Sequence, residues 1–160
     1  FASAILEGRP IDVFNHGKMR RDFTYVDDIT EGVVRVLDKI PEPDSQFDRM
    51  NPNPATSDAP YRVYNIGNNQ PLELMTFIET LEGIIEKKAH KNMLPMQAGD
   101  VEETYADISE LTDGIDFKPR TALHEGLKRF VEWYRPHHEQ RTMDFCGDTR
   151  QAGRSLLEQR

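Results

Sequence analysis

Apolar residues at Leu74, Phe77, Ile78, Leu81, Ile84 and Ile85 recur at the three-four spacing of one helix face and predict a helix from Leu74 to about Glu86. The same spacing joins Ile29, Val33, Leu37 and Ile40, with Asp27 or Asp28 as the N-capping carboxylate. It returns at Leu123, Leu127, Phe130, Val131 and Tyr134, in a final helix capped by Thr121 and ended by Pro136. Ala2, Ile5 and Leu6 read as the end of a further helix, with Gly8 as its C-terminal stop.

Two-residue alternation marks the strands. Ile11 to Phe14 places Ile11 and Val13 on one face and Asp12 and Phe14 on the other, so Phe14 is available to a site or to the core. Phe23, Tyr25 and Val26 favour a pleated segment, as do residues 62 to 66, and Asn92 to Met96 reads as extended. Asp107 and Glu110 resemble a capping box for a short helix stopped by Gly114. Residues 41–60 carry five prolines among Asp, Asn and Ser, a composition that predicts a long surface loop. Residues 137–160 are polar, with one helical turn or two admissible over Ser155 to Gln159.

Composition narrows the function classes. With 160 residues, 37% of them hydrophobic and 9% aromatic, one ordinary domain can form without disulfides. Twenty Lys and Arg stand against 28 Asp and Glu, a formal charge of −8 with no long basic run, which argues against a nucleic-acid partner. No apolar run reaches the ~18 residues of a membrane span. The single cysteine, Cys146, has no internal partner and reads as a free thiol, so a reducing, cytoplasmic compartment is the default expectation. His137 and His138 flank a proline and suit a solvated helix end better than a metal, and His16 reads as an exposed turn histidine. Lys87, Lys88, His90 and Lys91 follow a helix, where cations offset its C-terminal partial charge. The chain opens at Phe1 in what reads as mid-helix, and sequence upstream is expected to have been cut away.

The segment Met19 to Asp28 gathers a charged turn, a short strand and a helix start, and it carries two adjacent arginines. Guanidinium is the group best matched to phosphate oxygens. Taken by themselves, Arg20 and Arg21 are open to either a phosphate or to solvent and the neighbouring Asp22 and Asp27.

The strings VFNHGKMRRDFTYVDDI, VYNIGN and MLPMQAGDVEETYAD, in that order, resemble the C-terminal half of an extended short-chain dehydrogenase/reductase, nearest to the UDP-glucuronate 4-epimerases. The resemblance runs from Phe1 to Tyr134. It implies an α/β, Rossmann-like fold of which this chain holds the C-terminal substrate-binding part and lacks most of the nucleotide-binding sheet. Residues 1–136 would form that part and residues 137–160 a polar tail. Neither a Gly-x-x-Gly-x-x-Gly turn nor a Tyr-x-x-x-Lys pair occurs in the chain, so on its own it is expected to be inactive.

The resemblance also assigns roles. Phe14 would pack on the uracil ring, Arg21 would contact the diphosphate, and Asp100 would accept from the ribose hydroxyls. Gln97 stands where many relatives place a second phosphate-binding arginine, and Ala98 where the uronate branch commonly has proline. Thr104 falls where related epimerases limit the bulk of the sugar. The implied activity is 4-epimerisation of a UDP-sugar, UDP-glucuronate to UDP-galacturonate, through a 4-keto intermediate and NAD held mainly by an upstream half. The intact enzyme would be a cytoplasmic homodimer of carbohydrate biosynthesis. The alternatives are a nucleotide-sugar dehydratase or decarboxylase of the same superfamily, and a non-catalytic nucleotide-sugar binding module.

Overall fold

The computed structural model describes residues 1–155, with side chains as far as 140. Helices α1 (Ala2–Glu7), α2 (Val26–Leu37), α3 (Leu74–Ile85), α4 (Ser109–Ile115) and α5 (Leu123–Ser155) alternate with short strands β1 (Pro10–Val13), β2 (Arg20–Arg21), β3 (Leu72–Glu73) and β4 (His90–Met93). β1 pairs with β4 and β2 with β3, and the described chain divides into two compact units.

The first unit holds residues 1–11, 78–92 and the described residues from 124 onward. Its core is the predicted apolar stripe of α3, with Ile78, Leu81 and Ile85 buried beside Ile5, Leu127 and Val131. α1 ends at Gly8, which takes the left-handed conformation (φ 75°) that a side chain disfavours. Lysines beyond α3 meet carboxylate and carbonyl groups. Lys87 donates to the Leu6 carbonyl at 2.8 Å, while Lys88 and Lys91 converge on Glu82, a residue only 2% exposed, which also accepts the Ala89 amide. Burial alone would raise the Glu82 carboxyl; the hydrogen bonds from Lys91, Lys88 and Ala89 outweigh it and hold the group at about 2.

α5 does not stop at Pro136 but carries it as an internal residue. A proline removes one hydrogen bond, and helix formers on both sides, Glu132 and Arg135 before it and Glu139 to Arg141 after, carry the backbone on. The turn expected over Ser155–Gln159 falls outside the described residues but for Ser155, and the Cys146 side chain lies outside them too.

The second unit holds residues 12–77 and 93–123. The alternation of β1 is as expected, with Val13 fully buried and Asp12 exposed, but the strand closes at Val13 and Phe14 opens a 3-10 turn through Asn15, His16 and Gly17. The strands expected over Phe23–Val26 and Val63–Ile66 are absent; both segments run without a ladder. Extended backbone becomes a strand only by pairing, and pairing at the second segment stops at its start, where Arg62 bridges Thr56 and the Val63 amide donates to the Ala55 carbonyl at 3.0 Å.

α2 also departs from expectation. It starts at Val26 with Tyr25 as an N-cap lacking a side-chain bond, and Asp28 instead accepts the Thr121 amide at 3.0 Å. Its packed face centres on Gly32, where an added Cβ would lie 2.5 Å from Ile66 Cδ1 and 3.2 Å from the Phe117 ring. That seating turns the apolar stripe outward, leaving Val33, Leu37 and Ile40 exposed. α4 starts one residue later than a box at Asp107 requires, with Ile108 at the N-cap position, and Asp107 accepts from the Ser109 amide and hydroxyl. Gly114 lies inside α4 rather than after it, at a point where a Cβ would stand 2.9 Å from the Tyr64 ring, and the left-handed cap falls on Asp116. Residues 41–60 form neither helix nor strand and are shaped by side-chain turns, Asp44 to Gln46 N–H and Asp48 to Met50 N–H among them.

Candidate nucleotide-sugar site

β2 is the organising element of the second unit. Arg20 and Arg21 pair antiparallel with Glu73 and Leu72 on one side. On the other side the Arg20 amide donates to the Glu102 carbonyl at 2.8 Å and the Thr104 amide to the Arg20 carbonyl at 3.2 Å. Two arginine side chains therefore stand on backbone fixed from both flanks, and alternation along an extended segment sends them to different partners.

Arg20 reaches Glu103 at 3.0 Å and the Pro71 carbonyl at 3.1 Å. Arg21 folds over the 100–102 turn: Nη1 donates to the Arg20 and Glu102 carbonyls at 2.9 and 3.1 Å, and Nη2 to Asp100 Oδ1 at 3.1 Å. The Asp100 carboxylate also accepts the Val101 amide at 2.8 Å. With side chains 24% and 34% exposed, the Arg21–Asp100 pair sits at the surface, where such pairs contribute up to about 1 kcal/mol. Such a pair is a poor staple.

Three of the five expected site residues are joined here. Arg21 and Asp100 touch, and Thr104 is tied to the same strand through its hydroxyl, which accepts the Asp22 amide at 3.3 Å. Gln97 is exposed at the start of the turn that leads to Asp100, its carbonyl accepting the Asp100 amide at 3.3 Å. Phe14 lies half-buried at the head of the 3-10 turn, and the contacts that join Arg21, Asp100 and Thr104 do not include it. The pairing of the arginines with Asp22, one of the readings open from sequence, gives way to Glu103 and Asp100. Asp22 itself turns to three backbone amides, those of Asn69, Gln70 and Ala106, a role that local spacing did not signal.

Among the described residues no group of three His, Cys, Asp or Glu is arranged for a metal, and no helix is long and apolar enough to cross a membrane.

Residues 1–67 match the sequence model of the NAD dependent epimerase/dehydratase family. Over those residues the chain is similar to that family. A probable UDP-glucuronate 4-epimerase from Rhizobium meliloti is 49% identical over 138 residues, covering 84% of this chain and 40% of the relative. An uncharacterized protein from Escherichia coli O111:H- is 52% identical over 139 residues, 87% of this chain and 42% of its own length. The chain thus spans about two fifths of the curated relatives it matches. Among solved structures, UDP-glucuronic acid 4-epimerase from Bacillus cereus in complex with UDP-glucuronic acid and NAD superposes with a TM-score of 0.62 at 29% identity, over 79% of this chain and 35% of that one. The α/β fold of the epimerase/dehydratase family is therefore the fold of this chain, in part.

NAD, the cofactor in the family's name, does not find its fingerprint here. No glycine-rich turn precedes a helix among these residues, and α2, which follows the arginine strand, has Asp27 and Asp28 in its first turn, a poor place for a pyrophosphate.

Proposed function

We propose that this chain supplies the nucleotide-sugar binding part of a UDP-sugar 4-epimerase that converts UDP-glucuronate to UDP-galacturonate. The observation that carries the proposal is Arg21, a guanidinium clamped by two backbone carbonyls and paired at the surface with a carboxylate that a diphosphate can displace. A carboxylate suits a ribose diol because it is acceptor-only when ionised, and Asp100 takes that part. Thr104 borders the sugar, Gln97 donates to a phosphate oxygen without charge, and Phe14 stacks on the base. These residues bind and orient; no redox step is assigned to them. NAD, when bound to the enzyme, supplies reversible hydride acceptance, and the 160 residues by themselves are catalytically silent on this reading. The names of the Rhizobium relative and the Bacillus cereus structure support the uronate as the sugar. The lone cysteine and the UDP-sugar chemistry support a cytoplasmic place in carbohydrate biosynthesis.

Calorimetric titration of the chain with UDP and UMP tests the proposal. The second phosphate is expected to tighten binding by about tenfold, the value of one charge-assisted contact. Equal affinities, or binding of neither, would overturn it.

A further inference from the structure

Asp22 lies between Arg21 and the aromatic Phe23, and its carboxylate accepts from backbone amides. Oδ2 accepts the Asn69 amide at 3.1 Å and the Ala106 amide at 3.3 Å, and Oδ1 accepts the Gln70 amide at 3.3 Å. Its own amide donates to Thr104 Oγ1 at 3.3 Å. Segments 20–22, 67–70 and 104–106 therefore meet on one side chain. Gly67 is shaped to admit it: a Cβ built there would stand 2.6 Å from Asp22 Oδ2 and 2.6 Å from the Ala106 methyl.

We propose that Asp22 is the positioning residue of the nucleotide-sugar site, setting the place of Asp100 and the Glu102 carbonyl relative to Arg21 by holding the 104–106 segment against β2. The inference rests on the proposed function for what the site binds, while the three-way carboxylate bridge stands on geometry alone. Two oxygens are required, because three amides approach from two sides; an asparagine offers one oxygen and turns an NH2 group toward a backbone N–H. Gly67 is required for the same reason, since any side chain there displaces the carboxylate without removing its charge.

The test is a double-mutant cycle read by UDP calorimetry, together with amide hydrogen exchange. Asp22→Asn and Gly67→Ala are each expected to weaken UDP by about tenfold, as the loss of a charge-assisted bond does. Asp22→Asn added to Arg21→Ala is expected to bring no further loss, whereas a merely structural defect would multiply with it. Exchange at Ala106, Asn69 and Thr104 is expected to accelerate in both single variants. Multiplying losses, or unchanged affinity in Asp22→Asn, overturn the proposal. Should Asp22→Asn not fold, Gly67→Ala carries the same cycle. Should the unaltered chain bind no UDP, the nucleotide reading fails on its own account, and Asp22 is judged by exchange: acceleration at Thr104 and Ala106 upholds the bridge, and unchanged protection overturns it.

Discussion

Arg21 Nη2 lies 3.1 Å from Asp100 Oδ1, so the cation suited to a diphosphate and the carboxylate suited to a ribose hold one another across 79 residues of chain. Nη1 stays tied to the Arg20 and Glu102 carbonyls, which fixes the guanidinium while the partner of Nη2 exchanges. Binding on this geometry is a substitution of one anion for another. It gains less than capture of an unpaired arginine would, and it is weakened by salt.

Asp100 carries a prediction of its own. If its carboxylate accepts from the ribose, Asp100→Asn should erase the preference for UDP over its 2′-deoxy analogue, a preference of about tenfold for one hydrogen bond to a charged group. Calorimetry with the two nucleotides on both proteins measures it. An undiminished preference in the variant would move ribose recognition elsewhere.

Glu82 predicts how stability depends on pH. Its carboxyl is held at about 2 in the folded chain against an ordinary 4.5, so its contribution is fully present above 4.5 and is lost as pH falls toward 2. The shift corresponds to at most about 3 kcal/mol. Chemical denaturation between pH 5 and 2.5 should show the unaltered chain losing more stability than Glu82→Gln, and parallel losses would contradict the buried bridge.

The outward face of α2 predicts exposed apolar surface. Leu37 is 75% exposed and Ile40 82%, with Val33 beside them. Exposed apolar side chains, here two on α2 and one just beyond its end, bind hydrophobic dyes. The chain should enhance dye fluorescence, and Leu37→Ser with Ile40→Ser should lower it while changing stability by less than about 0.5 kcal/mol per site. A chain silent to the dye would mean that this face is covered.

What the sequence disclosed follows from what is local. The α3 stripe, the Gly8 stop and the alternation of Ile11 and Val13 depend on spacing within a few residues, and each appears in the structure. The strands at 23–26 and 63–66 need a continuous neighbouring strand; the second finds only one bridge, Arg62 to Thr56, so propensity alone did not make them. The facing of α2 was set by Gly32, where a contact with Phe117 distant in sequence overrode the stripe. At the site, residue identity pointed to Arg21 and Asp100 through family resemblance, but their contact with each other was hidden, as was Asp22, whose three amide partners lie 47 to 84 residues away. Pro136 misled because one proline stops a helix only where its flanks do not favour continuing.

On the proposed function Arg21, and not Arg20, faces the diphosphate. Arg20 is spent on Glu103 and the Pro71 carbonyl, on the other side of β2's alternation. UDP keeps the base, ribose and diphosphate and drops the sugar, so calorimetry of UDP with Arg21→Ala and Arg20→Ala isolates the contact. Arg21→Ala should cost roughly 1.5–3 kcal/mol, about ten- to a hundredfold in affinity, with Arg20→Ala costing much less. Equal losses, or a larger loss for Arg20→Ala, would contradict the account.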